Sequence, residues 1–212
     1  MQTLFESLLK SALDDNGYTF SAEIIQQFSV YLNLLQKWNH VFNLTAIDQP
    51  KEMVYLHMID SLSAAPYLRG QRMLDIGSGA GLPGIPLAII HPEQEWTLLD
   101  KSNKKIHFMT QAVAELGLKN IHLVAQRSED FHPSQCFDSI ISRAFASLRL
   151  MLEVSAHLAC PKGIFIAMKG QYPQNELAEI PEEFAVQGVH RVAIKGWQVE
   201  RHIVCIEKKE PT

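Results

Sequence analysis

The chain has 212 residues, of which 47% are hydrophobic and 20% charged, and its formal net charge is -4. That composition is ordinary for a soluble globular protein with one sizeable α/β domain, and it argues against a general nucleic-acid binder. No apolar run reaches the ~18 residues of a membrane span, and no basic segment followed by an apolar one opens the sequence as a secretory signal would.

The charge is unevenly spread. Residues 1–100 carry 5 basic and 11 acidic side chains, a balance of -6, whereas residues 101–212 carry 14 and 12, a balance of +2. A local basic face in the second half is therefore available for phosphate contacts. Cys136, Cys160 and Cys205 lie far apart and form no C-x-x-C pair. Neither a disulfide framework nor a zinc site is expected, burial is the expected role of Cys160, and a reducing cytoplasm is the natural setting. The histidines are scattered without metal-ligand spacing, so no metal is expected.

Residues 1–67 read as helical. Ser21 is a plausible N-cap. Ile24, Ile25, Phe28, Tyr31, Leu32, Leu35, Trp38, Val41 and Phe42 then keep a helical spacing and form one apolar stripe. Packing within the protein is the expected use of that stripe, with an external partner groove as the alternative. Asp48 ahead of Pro50 marks the next helix start, and Tyr67-Leu-Arg-Gly70 marks its end. No glycine-rich or serine-rich linker follows. Residues 1–67 are thus expected to be a helical cap packed on the domain formed by residues 68–212.

From residue 72 the pattern changes to strand–helix alternation, the signature of a parallel sheet covered on both faces. Met73-Leu-Asp-Ile76 is a short apolar strand, followed by Gly77, Gly79, Gly81 and Gly84, and then by Pro83 and Ile85–Ile90 as a helix start. Such a helix start is expected to offer unpaired N–H groups to an anionic ligand group. Trp96–Asp100, Ile121–Ala125, Asp138–Ser142 and Gly163–Met168 are further strands, with helices over Lys104–Leu116 and Leu148–Leu158. An acidic helical piece around Glu176–Phe184 precedes two β-rich runs, Val186–Ile194 and Glu200–Glu207, joined by a Lys195-Gly196-Trp197 turn. They read as an antiparallel hairpin added to a parallel sheet. The expected fold is α/β and Rossmann-like, with seven mostly parallel strands, helices on both faces and the N-terminal helical cap.

Gly79-Ala-Gly81-Leu-Pro-Gly84 fits the dinucleotide pattern G-x-G-x-x-G literally. Two features favour another cofactor. Asp75 stands two residues before the first glycine, and the series begins early, as Asp75-x-Gly77-x-Gly79-x-Gly81. That spacing resembles motif I of the class I methyltransferases that use S-adenosylmethionine (SAM) and release S-adenosylhomocysteine. An NAD-dependent oxidoreductase is the alternative.

In an open parallel sheet, ligands bind beyond the carboxyl ends of the strands. Asp100 follows the second strand, where an acidic residue can accept hydrogen bonds from ribose hydroxyls; capping the next helix is its other reading, and Ser102 could cap instead. Ser128 and Glu129 follow the third strand and can address an adenine edge. Ser142-Arg143-Ala144-Phe145 follows the fourth and Lys169-Gly170 the fifth. The Asn/Asp-Pro-Pro-aromatic tetrapeptide of exocyclic amine methyltransferases is missing after the fourth strand, and no cysteine stands at a site loop to serve as a nucleophile. Arg143, Lys169 and Phe145 near the cofactor suit an acceptor that is already nucleophilic, such as guanine N7. Positioning alone would serve such an acceptor, with Arg143 or Lys169 holding O6 or a phosphate.

The segments Trp38-Asn-His-Val-Phe-Asn-Leu-Thr45, His57-Met-Ile-Asp-Ser-Leu62, Asp75–Pro86, Ser142-Arg-Ala-Phe-Ala-Ser147 and Met168-Lys-Gly170 resemble, in order and over essentially the whole chain, the bacterial RsmG (GidB) family. The resemblance implies transfer of a methyl group from SAM to N7 of a single guanosine, position 527 in the 530 loop of 16S ribosomal RNA of the small ribosomal subunit. It implies SAM contacts by Gly77, Leu82, Ser128, Glu129 and Arg143. Joined with the reading of the residues, it gives Asp75, Gly77, Gly79, Gly81 and Leu82 around the methionine end of SAM, Asp100 at the ribose, Ser128 and Glu129 at the adenine, and Arg143 and Lys169 as positioning candidates for the base. No side-chain base is expected, and the expected state is a cytoplasmic monomer. A SAM-sensing RNA-binding module without enzymatic activity is a further alternative. Leu56 departs from the family, which usually has Arg before the His of His-x-x-Asp-Ser, so either another basic residue compensates for any RNA contact of that Arg or the contact is absent. Ser128 stands where the family varies, which leaves its contact to the backbone.

Overall fold

The computed structural model describes residues 4–145 and 147–209. Helices α1 (Leu4–Asp15) and α2 (Ala22–Phe42) open the chain. Ser21 caps α2, its hydroxyl accepting from the Ile24 N–H, and Asn43 ends it in the left-handed conformation. Helix α3 (Pro50–Met53) carries its proline in the first turn, where a missing N–H costs nothing. It runs through a π-helical stretch (Val54–Ile59) into α4 (Asp60–Leu62).

The strands are β1 (Arg72–Ile76), β2 (Glu95–Leu99), β3 (Ile121–Val124), β4 (Phe137–Arg143), β5 (Ala159–Lys169), β6 (Phe184–Val192) and β7 (Arg201–Lys208). They form one sheet in the order β3-β2-β1-β4-β5-β7-β6. Strands β1 to β5 pair in parallel, and β7 pairs antiparallel with both β5 and β6. The expected hairpin is present, with the later strand inserted between β5 and the earlier one. Helices α5 (Gly84–Ile90), α6 (Asn103–Leu116), α7 (Leu148–Ser155) and α8 (Gln174–Ala178) complete the chain.

Side-chain alternation along the strands sorts the core onto two faces. Met73, Trp96, Leu98 and Ile141 pack with α1, α2, α5 and α6, whereas Leu74, Ile76, Leu99 and Ile140 pack with α7. The residues of α1 and α2 share one continuous apolar cluster with the sheet. The predicted stripe of α2 is buried at Phe28, Tyr31, Leu32 and Leu35, but Val41 is 70% and Phe42 38% exposed, so the stripe leaves the core before the helix ends.

Two cysteines depart from expectation. Cys136 and Cys160 form a disulfide across a sequence separation of 24. The cause is sheet register: β4 and β5 are neighbours and Phe137 pairs with Ala159, which sets the two cysteines side by side. Cys160 is therefore bonded rather than simply buried. No helix is long and apolar enough to cross a membrane among the described residues.

Candidate active site

The order reverses between β1 and β4, and ligand sites in such sheets lie outside the carboxyl ends at that point. The glycine loop leaves β1 there. Gly77, Gly79 and Gly81 all have positive φ, and a Cβ at Gly77 would approach the Phe145 ring to 3.2 Å. A side chain at position 77 would thus be strained and would crowd the cavity floor.

The loop consumes most of its own donors. The Gly77 and Ser78 N–H groups donate to the Leu99 carbonyl at 2.8 and 3.1 Å, and those of Gly81 and Leu82 to the Ser78 carbonyl at 2.8 and 3.0 Å. The Gly79 N–H donates to Asp100 Oδ2 at 2.9 Å. The start of α5 is equally closed. The Gly84 N–H donates to Asp75 Oδ2 at 2.8 Å. Ile85 and Leu87 donate to the Gly81 and Pro83 carbonyls at 2.7 and 3.2 Å, and Pro86 has no N–H. The expectation that this helix start offers free N–H groups to an anion is therefore overturned. A dinucleotide pyrophosphate would meet no free donor at this helix start.

What the loop holds is two buried carboxyl groups, Asp75 and Asp100. Asp75 is fully buried, and its Oδ1 has no hydrogen-bond partner. Burial pushes its carboxyl up to about 7, against the pull of the Gly84 N–H and Arg143. Asp100 is 5% exposed at the end of β2; its Oδ1 accepts from the Ser102 N–H at 2.9 Å, and Lys105 Nζ stands 3.4 Å from Oδ2. Asp100 thus ties the loop and starts α6, while Ser102 occupies the cap position without a side-chain cap bond. From the cap, the buried Tyr31 hydroxyl donates to the Ala80 carbonyl at 2.7 Å and fixes the loop from behind.

Over this base lies a cavity of about 350 Å³ whose lining includes Gly77, Asp100, Ser128, Glu129 and Phe145, with Leu150 and Val154 of α7 on its apolar side. Four of the predicted cofactor residues, Gly77, Asp100, Ser128 and Glu129, meet here. Asp75, Gly79, Gly81 and Leu82 do not line it; they shape and charge the loop behind it.

Arg143 lies elsewhere. With Lys169 it lines a second cavity of about 380 Å³, together with Thr45, Leu56, His57, Asp60 and Arg201. Ala144 borders both cavities, and its φ of 55° turns the chain sharply after β4. Strained non-glycine residues of this kind cluster at functional sites. That turn sets Arg143 in one cavity and Phe145 in the other, so the expected grouping of Arg143, Lys169 and Phe145 is divided.

The titratable groups of the second cavity are committed. Arg143 Nη1 donates to the Leu56 carbonyl at 2.8 Å and to Asp60 Oδ2 at 3.2 Å, and Arg201 Nε donates to Asp60 Oδ1 at 2.9 Å. Lys169 Nζ donates to Glu176 Oε2 at 2.7 Å, and the same oxygen accepts from the Leu148 N–H. The ammonium is thus tied to α8. His57 Nε2 lies 3.2 Å from Thr45 Oγ1, and burial, helped by Arg143, holds the imidazole down at about 3. Where the chain has Leu56, Arg201 of β7 supplies a cation to the same cavity. Asp60 and Arg201 escaped the reading of the sequence; the His-x-x-Asp spacing that carries Asp60 was the one local signal, and Arg201 had none.

A doubly covered sheet, a glycine loop closed to anions, and buried carboxylates under a cavity at the switch point define a SAM-dependent methyltransferase. SAM carries positive charge at its sulfonium and amino groups and negative charge only at its carboxylate, so it does not need the phosphate-binding helix start that a dinucleotide does. Residues 24–204 match the family model GidB, rRNA small subunit methyltransferase G. The chain is 45% identical to the ribosomal RNA small subunit methyltransferase G of Escherichia fergusonii, over 94% of its length and 96% of that protein. It is 44% identical to the protein of the same name from Idiomarina loihiensis, over 95% and 98%. The chain belongs to this family. Among solved structures it resembles a SAM-dependent methyltransferase from Aquifex aeolicus, with TM-score 0.61 and 17% identity, covering 77% of this chain and 96% of that one. It also resembles magnesium protoporphyrin IX methyltransferase from Synechocystis PCC 6803 with bound SAM, with TM-score 0.61 and 15% identity, covering 84% and 97%. At such identities the likeness concerns the fold.

Proposed function

We propose that the protein transfers the methyl group of SAM to N7 of one guanosine in the 530 loop of 16S ribosomal RNA, within the small ribosomal subunit. SAM supplies an electrophilic methyl on a sulfonium; the chain binds, orients and shields. In this reading Gly77 clears the floor of the first cavity, Asp100 accepts from the ribose, Ser128 and Glu129 face the adenine, and Phe145 covers the cofactor. Asp75, Gly79, Gly81 and Leu82 hold the methionine end through the loop's shape and charge. Arg143 reaches the boundary between the cavities and orients the base, and Lys169 shapes the far wall.

The observation that carries this reading is that, among the described residues lining the second cavity, no carboxylate is free and the one imidazole is a weak base. Asp60 is engaged by two arginines, Lys169 by Glu176, and His57 is far too weak a base. An exocyclic amine or a ring N–H would need a proton removed. Guanine N7 attacks through a lone pair outside the aromatic sextet and needs none. In this reading the enzyme works in the cytoplasm, where its ribosomal substrate is, and residues 1–67 act as a cap of the domain formed by residues 68–212.

The test is incubation of unmodified small subunits with labelled SAM, followed by chemical cleavage at 7-methylguanosine. Label at one guanosine of the 530 loop is expected. Label on an exocyclic amine, or none, would refute the proposal.

A further inference from the structure

Asp60 is 3% exposed and sits where the π-helical stretch passes into α4. Each of its carboxylate oxygens holds a different guanidinium, Oδ2 that of Arg143 and Oδ1 that of Arg201. Arg143 ends β4 and Arg201 begins β7, with β5 between them. Two strand spacings of about 4.8 Å separate the backbones, and two cations repel each other. A single buried anion from the cap region brings both side chains to one wall of the second cavity. Two guanidiniums on one carboxylate leave that wall with a surplus positive charge.

Arg143 is held by one edge. Nη1 serves Asp60 and the Leu56 carbonyl, and among the described residues its Nε and Nη2 make no hydrogen bond. Because the guanidinium is planar, fixing one edge fixes the direction of the remaining donors. Its neighbour Ala144 borders the cofactor cavity, so a group held by Arg143 lies close to the methyl donor. In guanine, O6 sits beside N7 on the same edge, and arginine is its commonest partner. The phosphate of the same nucleotide lies a nucleoside's length away from that edge.

We propose that Asp60 is a positioning residue of the acceptor cavity: it locks Arg143 against Arg201 so that the remaining Arg143 donors hold O6 of the target guanine. This rests on the guanine-N7 reading above. Asp60 touches no reacting atom and acts through Arg143.

The test is steady-state methyl transfer to unmodified small subunits by the wild type, Asp60→Asn, Arg201→Gln and the double variant, with S-adenosylhomocysteine affinity measured alongside. Asp60→Asn is expected to lower kcat on the order of 30-fold while its S-adenosylhomocysteine affinity stays within about threefold, the split of an interaction made near the transition state. Arg201→Gln is expected to lower kcat about tenfold, and the double variant to be no slower than Asp60→Asn, because coupled groups are not additive. Wild-type kcat in Asp60→Asn, or single effects that multiply in the double variant, would overturn the proposal. So would an equal loss of kcat and cofactor affinity, the mark of a general structural role. If Asp60→Asn does not fold, Arg201→Gln decides alone, and unchanged kcat there is fatal. Absence of N7 methylation by the wild type is a separate result, which removes the functional reading first and this inference with it.

Discussion

Asp75 Oδ2 accepts the main-chain N–H of Gly84 at 2.8 Å, and a Cβ added at Gly84 would lie 2.7 Å from that same oxygen. The strand before the glycine loop and the helix after it are thus joined through one buried carboxylate, at a contact that only glycine permits. Gly84→Ala is expected to destabilise the protein by about 1–3 kcal/mol, the usual cost of overpacking. The Cβ would also press on Leu98. Urea unfolding checks the stability, and SAM affinity is expected to fall with it; a variant as stable as the wild type would show that the loop moves freely.

Asp75 also gives stability a pH slope. Its carboxyl is raised from 3.8 to about 7 in the fold, so between those values the folded state binds the proton more tightly than the unfolded chain. This group's contribution is full below about pH 4 and is lost as the pH rises through 7, with a limiting slope of about 1.4 kcal/mol per unit. Asp75→Asn is expected to remove that decline, seen as a flatter profile of unfolding free energy from pH 4 to 8. It is also expected to weaken SAM more than S-adenosylhomocysteine, which lacks the sulfonium charge. Equal losses for both ligands would reduce Asp75 to a matter of shape.

His57 runs the other way. Its imidazole falls from 6.5 to about 3 in the fold, so the unfolded state binds more protons across that window. The stabilisation is present above about pH 6.5 and lost as the pH falls toward 3. His57→Gln is expected to make unfolding less steep in acid than in the wild type, and the same titration of unfolding free energy measures it. An unchanged acid limb would place the proton-binding group elsewhere.

The Cys136–Cys160 bond lies at the amino ends of β4 and β5, opposite to the cavities. It closes a loop of 24 residues, which by chain entropy stabilises by about 3 kcal/mol. Cys136→Ser is expected to lower the unfolding midpoint of oxidised protein and to leave thiol-reduced protein unchanged. S-adenosylhomocysteine affinity should not differ between the two. A change in affinity on reduction would mean that the bond is felt across the length of the strands.

The parts of the site that were legible in the sequence are those built within one strand–turn–helix unit. Asp75 and the glycines declare themselves because spacing within a dozen residues fixes them, and Asp100, Ser128 and Glu129 follow from the rule that strand ends carry ligands. The second cavity was only half legible. Arg201 and Asp60 are 141 residues apart and meet only because β7 enters beside β5 and the cap folds over it. No period or motif announces such a pair. Cys136 and Cys160 were hidden for the same reason, since register rather than spacing joins them. The loop's donors misled in the opposite sense: a glycine-rich helix start is the pattern of an anion site, but here Asp75 and the chain's own carbonyls had already taken the N–H groups.

The insertion of β7 between β5 and β6 also makes the two cavities depend differently on the last strands of the sheet. The lining of the first stops at Val154, whereas the second takes Arg201 from β7. Without β7, β6 would have no partner strand among the described residues and the β5 edge would be open. A change that disturbs β7 therefore reaches the second cavity through one of its own lining residues, and the first only through the sheet.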